Sequence, residues 1–153
     1  MTALEIGGLY IMLFARAIPD EYHWALYHHW SPHRGTKFHI RNLGEGWIVE
    51  HAVVSDAPIQ LLLAGFLKIA SVRPEDKEVL HDLIAPVTHD VPNVTCRTWI
   101  LDAVQACIVA GLVRCASLAD LESEAKAFGF VQFEDTVSNV QPRPIAVSKR
   151  CSL

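Results

Sequence analysis

Apolar and polar positions change rhythm along this chain of 153 residues. Residues 9–15 form an unbroken apolar run rich in strand formers, the pattern of a central strand buried on both faces. Pro19 and Asp20 then mark a turn over residues 17–21, and residues 22–27 read as a second strand. Ser31, Pro32 and Gly35 make residues 28–35 a loop. The next stretch, 36–41, alternates cleanly, with Phe38 and Ile40 on one face and Lys37, His39 and Arg41 on the other. A turn at 42–46 and a strand at 47–53 complete an expected antiparallel meander of three or four strands.

Beyond the meander the period changes. Residues 59–70 are strongly apolar and fit a strand or a helix, with a strand the preferred reading. Pro74, Glu75 and Asp76 open a helix that runs to residue 84 and stops at Pro86. A loop at 89–95 leads into a helix over 96–113. Its apolar residues (Ile100, Leu101, Ala103, Val104, Cys107, Ile108, Ala110) cover nearly every face, which predicts burial on most sides. Ser117 caps a last helix over 118–128, which Gly129 is expected to end. From Ser138 the chain, with Pro142, Pro144, Lys149 and Arg150, reads as a loose tail. The expectation is one α+β domain over residues 1–137, an antiparallel meander packed against helices, with a loose extension at 138–153.

Composition narrows the class. Half of the residues are apolar (51%) and 20% are charged, so the chain can build a core. A net charge of -4, with Lys and Arg scattered, gives no reason to expect nucleic acid as a partner. Residues 1–8 carry Glu5 and lack the basic start of a secretory leader. The best membrane-span candidate, 96–113, is interrupted by Arg97, Asp102 and Gln105. These features predict a soluble, cytoplasmic protein with no transmembrane segment, in which Cys96, Cys107, Cys115 and Cys151 are free thiols. His28, His29 and His33 crowd one loop, but adjacent His28 and His29 point in different directions. No metal site and no cofactor is expected, and a His-loop metal protein is the third alternative.

Chemistry gathers at three other residues. Cys96 stands where a turn enters a helix, an environment whose backbone N–H groups and dipole favour a thiolate. A hairpin centred on Ser31 sets His23 opposite His39, with Cβ atoms roughly 5 Å apart on one face. A helix packed on that face would bring Cys96 up as nucleophile, with His23 as general base and His39 orienting it. The backbone N–H of Cys96, with Tyr10 or Tyr22, would supply an oxyanion site. Arg97 and Trp24 are candidates for holding the substrate. The plainer alternatives are a core cysteine, a core histidine at 23 and a solvated one at 39.

The order of these residues carries a resemblance. Residues 10–42, with Tyr22-His23-Trp24-Ala25-Leu26-Tyr27 and Phe38-His39-Ile40, resemble the His-first half of the circularly permuted papain-like (NlpC-type) fold. They are most similar to the lecithin–retinol acyltransferase and HRAS-suppressor-like families. In those families a His-Trp-Ala strand supplies the base, the next strand a second histidine and a later helix start the nucleophile. His23, His39 and Cys96 match those positions in order, although Thr95-Cys96-Arg97-Thr98 stands where the family has Asn-Cys-Glu-His. Fungal proteins of unknown function are similar in the same His-Trp-Ala and Cys-x-x-Trp layout. The resemblance implies a thiol-dependent hydrolase or acyltransferase, acting on an amide, ester or thioester of a small-molecule, peptide or lipid acyl substrate. The alternative is a non-catalytic binding or assembly module on the same fold. Oligomeric state is not legible.

Overall fold

A computed structural model describes residues 3–16, 21–42 and 44–152. The apolar run becomes β1 (Gly8–Ala15), buried along its whole length. It lies between β2 (Tyr22–His28) and β5 (Leu63–Ser71), antiparallel to both, which explains why it carries no polar face. With β3 (Gly35–Asn42), β4 (Trp47–Val54) and β7 (Ile145–Val147) these strands form a six-stranded sheet in the order β4-β3-β2-β1-β5-β7. Only the β5–β7 pairing is parallel. Residues 17–20 of the expected turn at 17–21 lie outside the described residues.

Alternation in each strand divides the side chains between two faces. One face carries Leu9, Ile11, Leu13, Trp24, Leu26, Phe38 and Ile40, and packs against the helices. The other carries Tyr10, Met12, Phe14, Ala25, Tyr27, Leu63 and Phe66, and Ala57 packs with them. The helices are α1 (Lys77–Ile84), α2 (Cys96–Val109) and α3 (Leu118–Val137). Helix α2 is not buried on most sides, although its apolar residues do reach most of them. It buries one stripe, Cys96, Trp99, Ile100, Ala103, Val104 and Cys107, while Val109 is exposed. It also stops short of the predicted residue 113, where Gly111 takes a left-handed φ of 81°.

Three further expectations are corrected. Gly129 does not end α3; a Cβ there would stand 2.9 Å from the Tyr22 ring, so the missing side chain lets the helix lie against the sheet. The segment from residue 138 is not a loose tail. Strand β7 joins the sheet, and Arg143, buried behind it, donates to the carbonyls of Leu63, Ala64 and Val140. Strand β8 (Cys151–Ser152) pairs with β6 (Arg114–Cys115), and a Cys115–Cys151 disulfide joins them. The reading of four free thiols therefore holds only for Cys96 and Cys107. No helix among the described residues is long and apolar enough to cross a membrane.

Candidate functional site

The two histidines meet, in a register different from the expected one. Strands β2 and β3 pair Leu26 with Phe38, Tyr27 with Lys37 and His28 with Thr36, so the hairpin is centred on Pro32 and not on Ser31. Moving the centre by one residue shifts every pairing by two and leaves side-chain faces unchanged. His23 and His39 become diagonal neighbours, joined Nε2 to Nδ1 at 2.7 Å. The β3–β4 hairpin then sets Glu50 opposite His39, with Glu50 Oε1 3.1 Å from His39 Nε2. Arg41 Nη1 donates to the other oxygen of Glu50 at 2.9 Å.

These bonds fix the protons. An ionised Glu50 can only accept, so His39 holds its proton on Nε2 and uses Nδ1 to accept from His23 Nε2–H. The lone pair of His23 is then left on Nδ1. Burial drives His23 down to about 3 from an ordinary 6.5, helped by the charges of His39, Arg16, Lys37 and Arg41. Burial also lowers His39 to about 4, with Lys37 adding to the effect and Glu50 opposing it. For Glu50, partial burial works against ionisation, but the bonds and charges of Arg41 and His39 outweigh it and hold the carboxyl below its usual range. Both imidazoles are neutral at neutral pH.

The pair lines a cavity of about 360 Å³ at the end of β1, bounded by Phe14, Arg16, Lys37, Arg41, Glu50, Leu61 and Leu62. Lys37 reaches over the Phe14 ring, 4.4 Å from its centroid, and donates to Gln60 Oε1. Three side chains that carry positive charge line this space with one carboxylate, and one of them, Arg41, is paired with that carboxylate. Sequence reading missed Glu50, Lys37, Arg41 and Arg16 as members of the site. For Glu50 a signal was present: a hairpin turning between Gly44 and Glu45 pairs residue 50 with residue 39.

Cys96 stands elsewhere. It belongs to the helix-side core, while His23 touches Phe14 on the other side of the sheet, with ring centroids 5.9 Å apart. The predicted Cys96–His23–His39 constellation therefore does not assemble, because alternation along β2 turns Tyr22 and Trp24 to the helices and His23 away from them. Among the described residues, Cys96 Sγ meets the Tyr22 carbonyl and Arg16 Nη2, each at 3.8 Å. Its helix start is well capped: Thr98 N–H donates to Thr95 Oγ1 and Thr95 N–H to Thr98 Oγ1. Cys96 is 4% exposed and lines a second cavity, of about 340 Å³, with Arg16, Tyr22, Trp24, Arg97 and Lys126.

Of the other candidates, Tyr10 is excluded by position. It is fully buried near the opposite end of β1, where its hydroxyl accepts from Glu5 N–H. Tyr22 and Trp24 are core residues beside Cys96, and Arg97 is bonded to Glu122 at 3.0 Å. In the histidine-rich loop, His28 Nε2–H donates to the Val72 carbonyl and His29 Nδ1 accepts from the Tyr27 hydroxyl. Among the described residues no group of three or more His, Cys, Asp or Glu side chains could hold a metal ion.

The fold and site define a mixed α+β protein: a mostly antiparallel sheet with helices on one face and a cation-lined cavity at one end of the other. The chain belongs to a family of unknown function (DUF6914), whose pattern it matches over residues 8–135. No curated protein and no solved structure matches it.

Proposed function

We propose that the chain is a binding module for a small anionic molecule, held in the cavity of His23 and His39. The observation that carries this reading is the charge balance of the lining: Arg16, Lys37 and Arg41 against Glu50 alone, around neutral imidazoles. Lys37 and Arg41 are half-buried, and cations near a low-dielectric wall gain more from an anion than exposed ones such as Arg16 do. The relay from Glu50 through His39 uses both imidazole N–H groups internally, so the donors that an anion would meet are Arg16, Lys37 and Arg41. A carboxylate or a phosphate would satisfy the same donors.

Inorganic phosphate and acetate, titrated separately by calorimetry at low ionic strength, test the reading and separate the two chemistries. Saturable binding of either is expected, weakened at least tenfold in Lys37→Ala, a loss of about 1.4 kcal/mol. Absence of saturable binding by both anions, or affinity unchanged in both Lys37→Ala and Arg16→Ala, refutes it.

A second reading keeps the thiol chemistry. Its support is the order of the elements, a His-bearing meander followed by a helix that begins at Cys96, as in the permuted papain-like fold. The Arg16 contact to Sγ adds to it. Acyl transfer through Cys96 would need His23 within proton-transfer reach, and His23 lies across the strand. This reading expects Cys96 to react with iodoacetamide faster than Cys107 at neutral pH, and His23→Ala to remove the difference. Equal, slow labelling of both cysteines counts against it and for the binding module.

A further inference from the structure

We infer that the outer edge of β4 is a self-association surface, along which a second copy of this chain pairs antiparallel to the first. Natural sheets blunt their edges with short strands, prolines, lysines or bulges. The opposite edge follows that rule, since β7 has only three residues. Strand β4 does not. It runs for eight residues, keeps one unbroken register with β3, and contains no proline, lysine or arginine. Among the described residues no strand pairs with its outer side. Ile48, Val49 and Val53 are 44%, 39% and 59% exposed.

The sequence of β4 says which occupant fits. A two-fold axis perpendicular to the sheet joins residues of the same face, so only residues an even number apart can stand opposite one another. With the axis at His51, Val49 meets the second copy's Val53 on the helix side, and Ile48 meets its Val54 on the other. Glu50 faces Ala52, so the two Glu50 carboxylates avoid direct opposition. About this centre the two outer pairs of 48–54 (Ile-Val-Glu-His-Ala-Val-Val) are apolar on both sides, Glu50 meets Ala52 and His51 meets its own copy. With the axis at Glu50 the like charges would meet. A two-fold pairing of this kind closes on itself and uses the exposed edge of both copies, giving a dimer and no fibre.

Sedimentation velocity across a roughly hundred-fold range of concentration is the first measurement. The wild-type chain is expected to pass from one copy to two, and Val53→Lys to remain single throughout. Should Val53→Lys fail to fold by circular dichroism, Ile48→Lys makes the same test from the other face. The register is tested by oxidative cross-linking of Val49→Cys and Val53→Cys. Each variant alone is expected to stay uncross-linked, and an equal mixture to give the covalent dimer. A wild-type chain that stays single at every concentration overturns the inference. So does a lysine variant that still pairs, or a single-cysteine variant that cross-links to itself as readily as the mixture does.

Discussion

Acidification should destabilise this protein well before its ordinary carboxylates titrate, and His39 should account for a large part of the loss. The sign follows from the direction of its shift. Folded His39 binds a proton only near pH 4, whereas the unfolded chain binds one near 6.5. Between those values the unfolded state holds more protons, so stability rises with pH and falls on acidification. One fully coupled histidine contributes about 1.4 kcal/mol per pH unit, which over this window is on the order of 3 kcal/mol. His23, His28, His29 and His51 are also lowered, chiefly by burial, and tilt the curve the same way. The diagnostic quantity is therefore the difference between wild type and His39→Leu, from urea unfolding at intervals of pH. A shallower slope is expected in the variant; an identical slope would mean that the His23–His39–Glu50 chain is not the coupled unit described here. A bound anion would oppose the loss, because protonating either imidazole adds a cation beside it.

Arg143→Ala should be the most damaging single change outside the site. The guanidinium is 6% exposed and donates to the carbonyls of Leu63, Ala64 and Val140, to Gln132 Oε1 and to Thr136 Oγ1. Truncation leaves the Leu63 and Ala64 carbonyls buried without this donor, at about 1–3 kcal/mol each, so a total of roughly 3 kcal/mol or more is expected. Lysine should rescue little, because a single ammonium cannot span the same fork of acceptors. Chemical denaturation measures the loss, and amide exchange along β5 and β7 locates it. A change below about 0.5 kcal/mol would place Arg143 among the energetically silent residues. Such a result would also reopen the reading of residues 138–152 as a loose tail.

Much of the fold was legible before any coordinates. The apolar run at β1, the alternation of β3 and the proline-led start before α1 each follow from local patterns of period 2 or 3.6. The C-terminal segment was not legible, because its order comes from distant partners. Arg143 finds carbonyls about eighty residues away in the chain, and Cys151 finds Cys115. Gly129 misled for a related reason: inside a helix it reads as a stop, yet its role is the close approach of α3 to Tyr22.

The sequence by itself placed His23 and His39 on one face on the premise that their hairpin centres on a residue, which the pairing of Leu26 with Phe38 supplies. Side-chain direction along a strand has period 2, and a hairpin centred on either Ser31 or Pro32 preserves that parity. It determined equally that a helix begins at Cys96, through the Thr95 and Thr98 cap. Only the tertiary structure decided which face that helix covers. Parity places the histidines together on one side of the sheet without saying on which side the helix layer will pack. That choice belongs to the burial of Trp24, Leu26, Phe38 and Ile40 against Trp99 and Ile100. It separates the thiol from the imidazoles and leaves the histidine pair facing cations.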